Sequence, residues 1–159
     1  MSDALPGRRE TAIPTRHSGK IAVLLIDDAA LTREGLVRLL AQGAPDFELR
    51  ALARVGDIPD DRAWRPDVVL LNIRTADLAA PAVQDSLGAL NGRIPDALII
   101  VLAERDEASA ALDAIRLGLR GFFPASLGVG LLVAAVRLVA AGGWFVAPAV
   151  VRQLTLGRP

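Results

Sequence analysis

Three largely apolar runs of five or six residues recur along the chain, and each leads into a polar or small residue. Continuous runs, rather than an alternation of apolar and polar positions, predict strands that are buried on both faces, as in a parallel sheet. These strands are predicted at residues 21–26, 67–71 and 97–102, with a weaker strand at 47–54 and a short one at 121–123.

Amphipathic segments separate the runs and predict helices, several of which stop at a glycine. The helices are predicted at residues 31–42, 82–90, 106–118 and 127–141. Residues 57–64 make only a poor helix, because Pro59 suits no position beyond the first helical turn. Strands that alternate with helices and are joined by right-handed crossovers predict an α/β fold, a doubly wound sheet of five parallel strands.

The ends of the predicted strands carry the candidate functional residues. In a doubly wound sheet the working site lies at the carboxyl ends of the strands, close to the point where the strand order reverses. Asp27, Asp28, Asn72 and Ala103 all fall at such ends. The pattern therefore predicts that these four residues share one site.

Composition and charge exclude several kinds of binding and catalytic site. Of 18 basic and 18 acidic residues, four basic and two acidic lie in residues 1–20, which leaves 14 basic and 16 acidic in residues 21–159. A slightly acidic body attracts a phosphate backbone poorly, which argues against nucleic-acid binding by this chain alone. The chain has no cysteine, and its single histidine is His17. Disulfides, thiolate chemistry and clusters of histidine ligands are therefore excluded.

The first residues predict no export signal. Residues 1–20 mix proline, glycine, serine and both charges without an apolar core, so residues 1–19 are interpreted as a disordered tail. Residues 126–151 carry only one charge, Arg137, but two glycines and a proline interrupt them. This segment predicts a buried helix rather than a membrane span. We expect a cytoplasmic protein that does not contact a membrane.

Several short motifs over about residues 20–150 resemble the receiver domain of bacterial two-component response regulators, in the NarL/LuxR branch. The motifs are LIDD at 25–28, LTREGL at 31–36, RPDVVLL at 65–71, RLGLRGF at 116–122 and AAGGWFV at 140–146. Each motif is weak alone, but together they stand in the order and spacing of the family. The resemblance implies a flavodoxin-like (βα)5 fold.

The resemblance also implies a phosphorylation site, which this chain departs from. An active receiver phosphorylates an aspartate with the help of Mg²⁺, a serine or threonine and a lysine. Only the acidic pair matches, whereas the other three positions carry an asparagine and two alanines. In chain order, the five positions are Asp27, Asp28, Asn72, Ala103 and Ala125. Lys20, the only lysine, precedes the first strand, so no shift of the alignment restores that group. The resemblance therefore implies an atypical receiver with a degenerate site.

Structural roles remain open for these residues. Asp27 and Asp28 either cap a strand end or form a weak metal site, and we expect no ordered Mg²⁺ because Asn72 replaces the third carboxylate. Asn72 either binds the loop backbone or contacts a ligand. Phe122 falls where the family has a rotating aromatic residue, and we expect a fixed core residue instead. The family uses the position of Arg74 through its backbone, so no role is predicted for its side chain.

The function implied by the resemblance is regulation of transcription without phosphorylation, with no enzymatic activity and no cofactor. Residues 20–143 are predicted to form the receiver-like domain, and residues 144–159 to begin a linker to a DNA-binding helix-turn-helix domain that lies outside this chain. We therefore expect a part of a longer protein. One alternative is a small-molecule sensor, because the two alanines leave a more apolar pocket. Another is a stand-alone module that binds a partner protein. A metal-dependent enzyme with only two acids is the least supported.

The last predicted helix carries apolar residues on nearly every side, whereas a surface helix normally has one apolar stripe. Large exposed apolar patches mark interfaces, so we expect a homodimer across this helix. The predicted interface residues are Leu132, Val136, Arg137 and Val139. Either the first helix or the 106–118 helix with the fifth strand would lie beside them. In the alternative interpretation, residues 144–156 fold back over the helix.

Overall fold

The computed structural model describes residues 19–60, 63–75 and 77–156. Five parallel strands form one sheet in the order β2-β1-β3-β4-β5, which confirms the predicted doubly wound α/β fold. The strands are β1 (Ile21–Ile26), β2 (Phe47–Leu52), β3 (Val68–Arg74), β4 (Leu98–Ala103) and β5 (Gly121–Pro124). The α-helices are α1 (Ala30–Gly43), α2 (Pro81–Arg93), α3 (Ala108–Arg116), α4 (Gly128–Ala140) and α5 (Pro148–Leu156). Residues 1–18 of the predicted tail, with His17, lie outside the described residues.

The sheet is buried on both faces, as its continuous apolar strands require. Successive side chains of a strand point to opposite faces, so the neighbouring residues Phe122 and Phe123 of β5 belong to different core clusters. Helices α1 and α4 cover the face that contains Phe123. Helices α2, α3 and α5 cover the face that contains Phe122.

The connection from β2 to β3 has no α-helix in its described part, so the poor helix predicted at residues 57–64 is wrong. A single 3₁₀ turn spans Val55–Asp57, and Ile58 then adopts an extended conformation (φ −64°, ψ 122°). Pro59 explains this break, because the residue before a proline avoids the helical region. In place of a helix, the indole of Trp64 packs against the core cluster on this face.

The chain beyond α4 closes the outer edge of the sheet. Phe145 forms a parallel bridge with Gly121 of β5, and its amide donates a hydrogen bond to the carbonyl of Arg120 (2.9 Å). Gly121 permits this approach, because a Cβ atom there would lie 3.2 Å from the Cβ of Phe145. The segment that follows α4 is therefore held against β5.

Helix α5 then packs on α3, beyond the predicted end of the domain at residue 143. Ala147 and Val150 are 0% exposed and share a core cluster with Phe122 and Leu119. Residues 148–156, expected to begin a linker, form a helix in which Val150 belongs to the core.

Helix α4 lies inside the domain, so three of its predicted interface residues are placed wrongly. Leu132, Val136 and Val139 are at most 3% exposed and share a core cluster with the sheet and with Leu40 of α1. A side chain enclosed by its own domain cannot contact a second copy. The prediction failed because α1 covers the flank of α4 that the sheet leaves open.

Arg137, the fourth predicted residue, is at the surface and binds both carboxylate oxygens of Asp46. The large apolar side chains of α4 that remain exposed are those of Leu131 and Leu138. The alternative interpretation is met only in part, because α5 packs on α3. Of residues 144–156, Phe145 packs against the core cluster that contains α4 residues. Within the described residues, no helix has the length and apolar composition needed to cross a membrane.

We expect Val150→Asp to lower the free energy of unfolding by about 2 kcal/mol, because the substitution forces α5 off the domain. Urea denaturation measures this loss, and limited proteolysis reports cleavage between α4 and α5. Val151→Asp is the matched control, since Val151 is 47% exposed on the same helix and its substitution should change little. Equal effects of the two variants would contradict the docking of α5.

Candidate functional site

The carboxyl ends of β1 and β3 form the candidate site at the centre of the sheet. Because β2 lies on one side of β1 and β3 on the other, the strand order reverses here, and the chain leaves the two strand ends toward opposite faces. Asp27 and Asp28 follow β1, whereas Asn72 and Arg74 lie at the end of β3. The predicted convergence of the acidic pair with Asn72 is therefore present.

Asp27 is the buried charge of the site, with 1% of its surface exposed. A buried carboxylate must be paired or hydrogen-bonded to remain charged. The amide of Ala29 donates to its Oδ1 atom (3.0 Å), and the Asn72 side-chain amide donates to its Oδ2 atom (3.0 Å). The guanidinium of Arg74 donates to Oδ1 as well (2.9 Å). Asp27 is thus satisfied from within the chain.

Arg74 reaches the acidic pair because β3 bulges at its end. The pairing of β3 with β4 shifts between Asn72 and Arg74. Arg74 has a φ of 59° and is the only residue other than glycine with a positive φ in the described part of the chain. This left-handed conformation is uncommon for a long side chain, and bulges often redirect a side chain in this way. The Arg74 amide also donates to the Asn72 Oδ1 atom (3.3 Å).

The guanidinium of Arg74 joins the two acids. One nitrogen, Nη2, forms ion pairs with Oδ1 of Asp27 and Oδ1 of Asp28. The hydrogen bond to Asp27 raises the pKa of Arg74 above its ordinary value; desolvation opposes this rise, and the charges of Asp28, Asp27 and Glu104 add to it. Arginine is already protonated at neutral pH, so this cation is permanent.

The role of Arg74 corrects the sequence analysis, which assigned no function to its side chain. Arg33 was also missed; its Nη1 atom donates to the backbone carbonyl of Asp27 (2.7 Å). One signal for an internal cation is in the sequence, because two adjacent acids at a buried strand end require a counter-ion. The fold has no lysine near them, which leaves the arginines.

The residues do not fit the Mg²⁺ ion that the resemblance implies. Magnesium prefers several oxygen ligands in octahedral geometry. The two carboxylates that would supply them are bound to Arg74, and Asn72 directs its N–H group, not an oxygen, at Asp27. Among the described residues, no three acidic, histidine or cysteine side chains are grouped so that they could hold a metal ion. Asp27 and Asp28 therefore hold a guanidinium where the family pattern has a metal.

The two alanines of the degenerate site lie near the same network. Ala103 and Ala125 line one cavity together with Asn72 and Arg74. Each offers only a methyl group to a reacting atom. Lys20 is exposed at the amino end of β1, roughly 20 Å from Asp27 along the strand. The structure thus gathers all five predicted positions but none of the missing functional groups.

Phe122 lies away from this network on the opposite side of β5. It is 2% exposed and shares a core cluster with Ala111 of α3 and Val150 of α5. Its burial agrees with the expectation of a fixed core residue, and α5 helps to bury it.

At the position of the family's phosphoacceptor, Asn72 offers no charged oxygen. A carboxylate attacks phosphorus through a charged oxygen, whereas a carboxamide carries no charge. Both ends of the Asn72 side chain are already engaged, by Asp27 and by the Arg74 amide. The site is a closed set of hydrogen bonds and ion pairs.

Comparisons with known proteins place this fold among bacterial regulators. No family model matches the chain. The transcriptional regulatory protein DegU of Brevibacillus brevis is 31% identical over 141 residues, which cover 87% of this chain and 58% of DegU. The transcriptional regulatory protein UhpA of Salmonella typhimurium is 30% identical over 139 residues, covering 87% of this chain and 68% of UhpA. The chain spans about three fifths of the length of the first curated relatives, DegU and GacA.

Solved structures share the fold. A structure of the response regulator RcsB of Salmonella typhimurium has a TM-score of 0.69, with 16% identity, and the match covers 86% of this chain and 67% of that one. Another structure contains two RcsB dimers bound to two parallel DNAs, with a TM-score of 0.68, 16% identity and coverage of 85% and 67%. These likenesses support the five-stranded architecture at low sequence identity.

Proposed function

The chain belongs to the NarL/LuxR-type response regulators, whose receiver region it spans, and from this premise we propose that it is a regulatory domain that works without phosphorylation. The observation that carries the proposal is the Arg74 guanidinium, which binds Asp27 and Asp28 while Asn72 takes the place of the phosphoacceptor. The asparagine at the acceptor position is thus accompanied by a permanent positive charge that lies against the acidic pair.

Phosphoryl transfer needs more than a nucleophile. The charge that develops on the phosphoryl oxygens must be neutralised, usually by a metal ion and by positioned donors. Here the metal ligands serve Arg74, and Ala103 and Ala125 provide no donor side chains. Each of these losses alone would slow the reaction, and together they argue for a domain without this chemistry.

A receiver without a phosphoryl switch transmits its signal through its surfaces. The acidic pair and Asn72 are satisfied by the chain itself, and no buried side-chain polar atom among the described residues lacks a partner. Such a network favours one conformation, because an alternative would break the hydrogen bonds of buried Asp27. The domain would then act as a constant structural unit of a transcriptional regulator.

Dimerisation is the second part of this proposal. RcsB, which has the same fold, forms dimers on DNA in one structure. In this chain, Leu131 and Leu138 of α4 and Leu31 and Leu39 of α1 expose 45% or more of their surface. Exposed leucines on adjacent helices are suited to a second copy of the chain. DNA would be bound by a helix-turn-helix domain outside these residues, and the protein would work in the cytoplasm.

We expect no phosphoryl adduct when the protein is incubated with acetyl phosphate and Mg²⁺, because Asn72 is not a nucleophile. Intact mass spectrometry at neutral pH checks this, and a receiver with an aspartate at the acceptor position is the positive control. A gain of one labile phosphoryl group that maps to residues 70–77 would overturn the proposed function.

A further inference from the structure

A mostly apolar cavity of about 360 Å³ lies between α1 and α4, above the carboxyl ends of β3, β4 and β5. Its apolar walls come from both helices and from the sheet; they are Leu36, Leu39, Leu102, Phe123, Val129 and Leu132. Small-molecule sites are concave, about 300–1,000 Å³ in volume and largely apolar, with few polar groups. This cavity meets that description in both size and lining.

The two alanines of the degenerate site help to form the cavity. Ala103 and Ala125 both belong to its wall, beside the glycine that begins α4. A longer side chain at Ala125 would extend into this space, whereas the side chain of Ala103 packs in the core cluster on the other face of the sheet. The small side chain of Ala125 therefore leaves room for a molecule.

The polar groups of the cavity define the kind of molecule. Arg74 and Glu104 contribute one charge of each sign, so the lining is electrically neutral. Asn72 and Arg74 are occupied by the network around Asp27. The side chains of Thr32 and Glu104 form no hydrogen bond within the described residues, and both can accept one.

We propose that this cavity binds a compact, uncharged molecule with an apolar body and one hydroxyl group. The hydroxyl would donate to Glu104 or Thr32, and the apolar body would lie against the leucines and Phe123. An anionic molecule would lose its hydration without gaining an unpaired cation, because Arg74 is bound to Asp27 and Asp28. The proposal of binding is argued from the cavity alone. Only the idea that this molecule regulates a receiver that works without phosphorylation rests on the proposed function.

Two other cavities adjoin Arg74 and suit such a molecule less well. The larger, about 500 Å³, lies between the loops after β3 and β4 and is lined by charged side chains that include Asp77, Glu107 and Asp113. The other, about 320 Å³, is bordered by the arginines Arg54 and Arg74 and by Asp28. Neither offers an apolar enclosure comparable to that between α1 and α4.

The test uses 1-naphthol as a neutral probe and 1-naphthoate as its charged counterpart, both titrated into the full chain by isothermal calorimetry. We expect saturable binding of 1-naphthol and binding of 1-naphthoate that is at least about tenfold weaker. Ala125→Phe fills the cavity and should weaken 1-naphthol binding by about tenfold or more. Ala141→Phe, at an exposed alanine after α4, is the matched control and should stay within about twofold.

Leu39→Trp is the second blocking variant should Ala125→Phe fail to fold, because Leu39 lines the cavity and is 47% exposed. Absence of 1-naphthol binding, or equal binding by the wild type and the folded blocking variant, would overturn the cavity proposal. Equal or tighter binding of 1-naphthoate would overturn the assignment of an uncharged molecule. None of these results depends on phosphorylation, so this proposal and the proposed function can fail separately.

Discussion

Asn72→Asp is expected to lower the free energy of unfolding by about 2–3 kcal/mol instead of creating a working phosphoacceptor. The substitution removes the N–H group that donates to buried Asp27 and places a second carboxylate about 3 Å from it. Arg74 remains between Asp27 and Asp28, so no metal ion enters to neutralise the added charge. Urea denaturation at neutral pH measures the loss.

The pH dependence of the stability of Asn72→Asp shows whether charge repulsion causes the expected loss. Repulsion between the carboxylates raises the pKa of the new carboxyl group in the folded protein above its unfolded value. Above this raised pKa, Asn72→Asp therefore shows its full loss of stability relative to the wild type. The loss becomes smaller as the pH falls below this pKa. Asn72→Ala, which loses the donor without adding a charge, should show a smaller deficit with no such dependence. A wild-type denaturation midpoint for Asn72→Asp at neutral pH would contradict this account.

The double variant Asn72→Asp with Arg74→Met separates the roles of the two residues. It carries three carboxylates without an internal cation, which is the donor set that Mg²⁺ prefers. Millimolar Mg²⁺ should raise its denaturation midpoint and leave that of the wild type unchanged. A response of equal size in both proteins would show that Arg74 does not occupy the cation position.

Val136→Asp is expected to leave the chain unfolded. Val136 is 0% exposed and lies in the core cluster between the sheet and α1. Burying an unpaired carboxylate there costs about 5 kcal/mol or more, which is comparable to the entire stability of many domains. Circular dichroism should show loss of secondary structure in the purified variant.

Leu138→Asp is the matched control, because Leu138 is on the same helix and 45% exposed. We expect it to keep the fold and to change stability by about 0.5 kcal/mol. Should α4 contribute to the proposed homodimer, sedimentation of this variant would show monomers. A folded Val136→Asp variant that is also monomeric would instead restore Val136 to the interface and contradict its place in the core.

The strands and four of the helices could be predicted because their apolar periodicity is set by burial on the sheet. The same periodicity does not say what covers each apolar residue, so the residues on the α1 side of α4 were mistaken for an interface. The missing helix after β2 depends on a single proline, Pro59, in a weak pattern. Helix α5 was missed because Val150 is buried by α3, a contact between segments far apart in the chain.

The candidate site was predictable only in part. Asp27, Asn72, Ala103 and Ala125 followed from strand ends and from a family resemblance. The contribution of Arg74 depends on a φ of 59° at a strand bulge, which no residue pattern here encodes. A sequence comparison therefore detects the asparagine at the acceptor position but not the guanidinium that binds Asp27 and Asp28.

The pairing of Asn72 with Arg74 has a consequence for the evolution of this domain. A lineage that regained the aspartate first would carry a repelled carboxylate, and one that lost the arginine first would leave the acids without a counter-ion. Either intermediate is less stable than the present domain, and neither is yet phosphorylated. Since selection acts on one substitution at a time, either order of the two substitutions passes through a disfavoured intermediate. We therefore expect no single substitution at Asn72 or Arg74 to convert this site into a phosphorylated one.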